Sequence, residues 1–194
     1  MKQLFEMDLK DYKSNDKIYK RPSARGIILD ENGKIALVYS KKEKYFKFPG
    51  GGIIEDEDKK EALIREVREE TGLLVIPESI EEFGSVMRRQ KSIKSPDTVI
   101  EQENFYYFCK VENRITEQNL DDYEKEAGFV LKYVDFDEAI RVNSDYKTKD
   151  YFNEIMIKRD TNVLELIKKY VKTNRYKFPC FSVKKLKQGY LNII

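Results

Sequence analysis

The 194-residue sequence contains no histidine at all. That excludes every mechanism that needs an imidazole as base, nucleophile or metal ligand. Cysteine is nearly as scarce. Cys109 and Cys180 stand far apart with no CxxC pair, which leaves neither a zinc knuckle nor a disulfide framework to expect. No stretch approaches the roughly 18 apolar residues of a membrane span. The opening MKQLFEMDLKDYK carries acids and lacks the apolar run of a secretory leader. A cytoplasmic protein with no membrane partner is therefore the expectation. Internal repeats and low-complexity tracts are missing as well.

What is present points to a folded globule. Hydrophobic residues make up 40% and aromatics 12%, enough apolar matter for one domain with a full core at this length. The charged fraction is high, 37%, and nearly balanced at 37 basic against 35 acidic residues. The signs are segregated, however. No acid follows Glu165, while Lys168, Lys169, Lys172, Arg175, Lys177, Lys184, Lys185 and Lys187 do, which leaves 29 basic residues against 35 acidic ones upstream. A solvated C-terminal helix and tail is the ordinary account of such a run, with phosphate or nucleic-acid contact as the alternative.

Along the chain, residues 1–22 mix charge with tyrosine and end at Arg21-Pro22, which reads as a boundary rather than a core element. SARGIILD (23–30) and IALVYS (35–40) are strand-like, joined by a tight turn around Asn32-Gly33. Tyr45 to Phe48 alternates like a short strand before Pro49 and three glycines. Glu57 to Thr71 is helical, closed by Gly72. Strands are expected at 73–76, 82–89, 104–111 and 131–136, and helices at 137–142 and roughly 149–173. Strands surround one helix and helices return at the end, the pattern of a mixed α/β domain.

The stretch that carries chemistry runs from Pro49 to Leu73. Glu66, Glu69 and Glu70 stand at i, i+3 and i+4 and share one helical face. Carboxylates so close repel one another, and a hard divalent cation with oxygen ligands, Mg²⁺ or Mn²⁺, is an economical offset. Leu63, Ile64 and Val67 fall on another face, suited to packing on a sheet. Ala62 is small and leaves room beside the acids. Gly50, Gly51 and Gly52 permit backbone conformations closed to other residues and let a phosphate or metal approach the main chain.

Gly51, Glu57, Arg65, Glu66, Val67, Glu69, Glu70, Gly72 and Leu73 fill every specified position of G-x5-E-x7-R-E-U-x-E-E-x-G-U, where U is aliphatic. This segment resembles the Nudix hydrolase signature, and the order of elements over about residues 20–145 is similar to that family's fold. The resemblance implies a Nudix-like α/β/α sandwich with a mixed sheet. It implies an N-terminal extension (1–22) packed on a Nudix domain (23–145), with a C-terminal helix and basic tail (146–194) in the same globule. It also implies that Glu66, Glu69 and Glu70 hold the metal with the Gly50 carbonyl, or that one of them orients or deprotonates the attacking water. Arg65 would tie the helix to the loop through Glu57, with Glu61, one turn back, as a local competitor. Asp56 and Ile54 depart from what relatives often carry, outside the defining pattern.

The expected activity is Mg²⁺-dependent hydrolysis of a phosphoanhydride bond in a nucleoside-diphosphate-linked compound. Nucleoside triphosphates, nucleotide sugars, ADP-ribose and capped RNA all stay open as substrates, with small nucleotides favoured over nucleic acid. A Nudix-fold sensor without strong catalysis is the reading from another class; the intact acids count against it. Family members often dimerise, so a homodimer is a further expectation, although no interface is legible. Outside the signature, Arg25, Lys47, Arg88 and Arg89 are candidates to meet phosphate, with surface solvation the more ordinary reading. Tyr45, Phe46 and Phe48 are candidates to stack a base, with core packing the more ordinary reading. Glu101 and Glu103 precede a strand where relatives often place a further acid.

Overall fold

A computed structural model describes residues 1–174 and 177. Its strands are β1 (Gln3–Asp8), β2 (Lys17–Lys20), β3 (Ser23–Ile27), β4 (Ile35–Ser40), β5 (Phe46–Lys47), β6 (Gly50–Gly52), β7 (Leu73–Val75), β8 (Glu81–Lys91), β9 (Thr98–Phe108), β10 (Val111–Ile115) and β11 (Phe129–Val134). Its helices are α1 (Lys59–Thr71), α2 (Asp122–Ala127), α3 (Phe136–Asp145) and α4 (Tyr151–Thr173). The largest sheet runs β1-β8-β9-β3-β6, with β2 also on β9; smaller sheets are β11-β4-β5 and β10-β7. Parallel and antiparallel pairs both occur in the largest sheet, so it is mixed.

Alternation along the strands distributes side chains to two cores. Ala24, Ile28, Phe105 and Tyr107 join Ala62, Leu63 and Val67 of α1 in one. Ile27, Val86 and Tyr106 join Ala139 of α3 and Val163, Leu164 and Ile167 of α4 in the other. Helices thus cover both faces: an α/β/α sandwich. Among the described residues, no helix is long and apolar enough to cross a membrane.

Residues 1–22 are more ordered than expected. β1 lies parallel to β8, and β2 and β3 lie one after the other along β9, Lys17↔Thr98 to Lys20↔Glu101 and then Ser23↔Asn104 to Ile27↔Phe108. Arg21-Pro22 is a break within one strand path, because proline cannot donate to the ladder. The strands expected at 82–89 and 104–111 are each 11 residues long and start earlier. β10 and α2 were not expected. The turn at 31–34 forms as expected, with Asp30 accepting the N–H groups of Asn32 and Lys34 and Gly33 at φ 78°. Of the basic run, Arg175, Lys184, Lys185 and Lys187 lie outside the described residues, as does Cys180.

Candidate active site

α1 starts two residues later than the acidic pattern alone indicates. Asp58 is its N-cap and accepts from the Lys60 N–H, while Asp56 takes φ 64° in the preceding turn. Glu57 is therefore left in the loop, free to reach back. Its carboxylate receives Arg65 Nε at 2.7 Å and Nη2 at 2.8 Å, a two-point fork, and also the Ile54 N–H at 3.0 Å. Glu57, not Glu61, is the loop partner of Arg65. The arginine holds Glu57 below the usual carboxylate range. Arg65 also donates to the Gly52 carbonyl, to Glu66 Oε1 at 2.7 Å and to Glu69 Oε2 at 3.2 Å. One guanidinium thereby binds the glycine strand, the loop and the acidic face together.

The glycines act as the close approach requires. A side chain at Gly51 would place Cβ 2.2 Å from Glu66 Oε2, so only glycine lets that carboxylate lie over the strand. Gly50, at φ 138°, faces the β3 backbone, where a Cβ would stand 2.1 Å from the Ala24 carbonyl oxygen.

Glu70 is 1% exposed. It accepts from Lys47 Nζ at 2.6 Å and from the Gly50 N–H at 2.9 Å. Burial pushes its carboxyl up to about 7, with Lys47 the main opposing influence. Lys47 is buried too, 3.9 Å from Glu124 Oε1 and 4.7 Å from the Phe129 ring centre. The repulsion within the acidic face is thus offset in part by the chain's own cations, Arg65 and Lys47. Repulsion alone does not demand a metal.

As a metal site the donors fit in kind, being hard oxygens throughout. Arg65 engages one oxygen each of Glu66 and Glu69, leaving Glu66 Oε2 and Glu69 Oε1 without a hydrogen-bond partner among the described residues. Burial raises the Glu66 carboxyl, with Arg65 the main opposing influence. Glu70 would have to share oxygens already held by Lys47 and Gly50, and the Gly50 carbonyl accepts from Arg25 Nη1 at 2.9 Å. Among the described residues no three acids yet converge on one point.

A cavity of about 650 Å³ brings these groups together: Gly50 to Gly52, Arg65, Glu66, Glu69, Glu70, Lys47 and Arg25 line it with Tyr45, Phe129, Phe152, Gln102 and Arg159. Arg25, Lys47 and Arg88 are all buried, so solvation does not explain them. Other candidates lie elsewhere. Phe48 is fully buried against Tyr106 in the core, 5.3 Å between ring centres, and Phe46 packs in the same core; neither reaches the cavity. Glu103 pairs opposite Met87 in the β8–β9 ladder, on the face away from Gln102 and Asn104, and does not line the cavity. Glu101 pairs with Arg89 at 2.8 Å. Arg88 is not among the residues that line the cavity, but it stands beside Gln102 and Phe152, which do.

Sequence reasoning missed Arg159, Asp160, Gln102, Tyr123 and Glu124. A signal existed for two of them: Arg159 and Asp160 interrupt an otherwise apolar face of α4, between Ile155 to Ile157 and Val163. Glu124, read as part of an acidic loop, closes a capping box on Asp121 and faces the cavity.

Among known proteins, the RNA pyrophosphohydrolase of Xanthomonas campestris pv. campestris is 38% identical over 65 residues, 34% of this chain and 31% of that protein. The RNA pyrophosphohydrolase of Xanthomonas oryzae pv. oryzae is 37% identical over the same shares. The chain thus matches about a third of the length of these curated relatives. Among solved structures, a NUDIX hydrolase from Nitrosomonas europaea has TM-score 0.48 at 19% identity, covering 73% of this chain and 89% of that one. The MutT protein from Methanosarcina mazei Go1 has TM-score 0.44 at 18% identity, covering 74% and 94%. The NUDIX domain model matches residues 19–154, well over half the sequence, and the chain belongs to the NUDIX domain family.

Proposed function

We propose that this protein is a divalent-metal-dependent pyrophosphohydrolase that cleaves a phosphoanhydride bond in a nucleoside-diphosphate-linked substrate. The observation that carries this reading is the meeting of Glu66, Glu69 and Glu70 with Gly50 to Gly52 on one cavity wall, braced by Arg65. Glu66 and Glu69 would hold Mg²⁺ or Mn²⁺, joined by Glu70 and the Gly50 carbonyl. A cation bound there neutralises phosphate charge and acidifies a coordinated water.

The chain's own residues do the remainder. Arg65 fixes the two carboxylates relative to the loop, so that they need not reorganise during reaction. Gly51 leaves room for the Glu66 oxygen. Water attacks one phosphorus, the bridging P–O bond breaks, and the departing phosphate takes the electron pair. Whichever of Glu66 and Glu69 does not turn its unengaged oxygen to the cation uses that oxygen to accept the water's proton. The walls contributed by Tyr45, Phe129 and Phe152 offer aromatic area for a base or sugar.

A second substrate class is favoured by one observation: the RNA pyrophosphohydrolases among the relatives. One panel tests both. Nucleoside triphosphates, nucleotide sugars, ADP-ribose and 5′-triphosphorylated RNA are offered with Mg²⁺ or Mn²⁺, and products are resolved by ion exchange. Cleavage into two phosphate-terminated products, or release of inorganic phosphate or pyrophosphate, supports hydrolysis at an anhydride. Intact substrates throughout, from folded protein, would refute it and leave a sensor.

A further inference from the structure

The face of the large sheet beneath α4 changes character along its length. At one end it is apolar; at the other, beside the cavity, it carries three buried arginines. Arg25 is 6% exposed, and Arg88 and Arg159 are each 1% exposed. They come from β3, β8 and α4. Among the described residues only Asp160, fully buried, forms an ion pair with them: it lies 2.8 Å from Arg159 and also accepts from Tyr106 and the Phe48 N–H. Lys47 and Glu70 beside them form a pair of their own.

The arginines are under-partnered as donors as well as in charge. Arg25 Nε and Arg88 Nε and Nη1 have no hydrogen-bond partner among the described residues, and Arg159 Nη2 has only its ion-pair contact with Asp160. Among the described residues the Arg88 guanidinium meets the Phe152 ring, 5.1 Å from its central carbon. Burial first, then Arg159 and Arg25, pull Arg88 down to about 9. A buried guanidinium with neither counter-charge nor full hydrogen bonding is costly. Water can supply hydrogen bonds but no charge. An oxyanion supplies both.

The position narrows the ligand. Arg25 and Arg159 line the cavity with Gln102, and Arg88 stands directly opposite Gln102 in the β8–β9 register, on the same face of the sheet. Arg25 Nη1 is bonded to the Gly50 carbonyl, while the Gly50 N–H is bonded to Glu70. One residue, Gly50, therefore separates the basic group from the acidic face. Successive phosphates of one chain span that distance.

We infer that Arg25 and Arg159, backed by Arg88, form an oxyanion subsite for a phosphate of the substrate other than the one attacked, so that the preferred substrate carries a terminal or distal phosphate there. The inference rests on the proposed hydrolysis for its substrate assignment, but the subsite can be tested without turnover. Inorganic phosphate and pyrophosphate are titrated into the full chain in chelator, with heat of binding and unfolding midpoint recorded. Both should bind and raise the midpoint, and Glu66→Gln should leave that response in place.

Arg88→Met separates a ligand site from a merely structural arginine. Without phosphate its midpoint should equal or exceed that of the parent, because an unpaired buried charge is gone. Its phosphate affinity should fall about ten-fold, as for one lost charge-assisted interaction. Arg25→Met should lose binding more completely. An unchanged phosphate response in a folded Arg88→Met of lower midpoint would overturn the subsite, as would a parent protein that binds neither anion. Where a substrate is found, phosphate should compete with it, raising apparent KM at constant kcat. Noncompetitive inhibition would overturn the substrate assignment and point to a free phosphate. Anion binding without any hydrolysis would fail the proposed function and leave the subsite standing.

Discussion

Replacing Lys47 by methionine keeps the length of the side chain and removes its charge. In the folded protein the ammonium lies 2.6 Å from Glu70 Oε1, and the side chains are only 7% and 2% exposed, so little solvent screens the pair. Its loss leaves the Glu70 carboxylate with the Gly50 N–H alone among the described residues. Removing one partner of a buried ion pair costs about 3–5 kcal/mol, since the other charge stays buried. For a chain of this size that corresponds to a fall of roughly 6–20 °C in unfolding midpoint. The double substitution Lys47→Met with Glu70→Gln should recover much of the loss, because no charge is then stranded. Denaturant unfolding in chelator, run on both singles and the double, gives the coupling. A single-variant loss below about 1 kcal/mol, or a double variant that merely sums the singles, would refute the pairing.

Gly51→Ala forces its new Cβ against the Glu66 carboxylate; kcat should drop about 100-fold, the scale of a misplaced catalytic group, with the unfolding midpoint little changed. Gly72 ends α1 at φ 75°, where a Cβ would meet the Thr116 carbonyl oxygen at 2.1 Å; Gly72→Ala should cost about 2–3 kcal/mol in denaturant unfolding. Burial pushes the Cys109 thiol up to about 12 from 9.0. Folding therefore favours the neutral thiol, a contribution fully present below pH 9 and lost as pH rises toward 12. In a Cys180→Ser background, labelling of Cys109 by a thiol reagent at pH 8 should proceed only as fast as the protein opens.

The acidic helix was legible because its constraint is local: spacing puts Glu66, Glu69 and Glu70 on one face whatever the rest of the fold does. The Arg65–Glu57 bond was legible for a similar reason, since both lie in one loop-and-helix segment. The burial of Arg25, Lys47 and Arg88 was not. Each sits on a strand, and nothing in its own stretch shows which helix closes over it: α4 over Arg25 and Arg88, α1 and α2 over Lys47. Phe48 and Glu103 failed in the same way, as alternation along a strand says that two faces differ but not which one meets the cavity. Within residues 1–22, β1 and β2 escaped notice because their strands are polar and mostly exposed or half-exposed, and their order comes from pairing with β8 and β9 rather than from apolar pattern.

Glu70 also bears on how catalysis should be tested. Because it neutralises buried Lys47, Glu70→Gln would alter folding together with chemistry. Glu66→Gln is cleaner, as Arg65 keeps Glu57 and Glu69 as partners. The most direct measurement is therefore phosphate or pyrophosphate release from the best nucleotide of a panel, with Mg²⁺ and with chelator, for the parent and for Glu66→Gln. Metal-dependent release that falls by about 100-fold or more in a Glu66→Gln protein of unchanged unfolding midpoint is the expected result. Release that survives chelator, or a folded Glu66→Gln as active as the parent, would contradict the account.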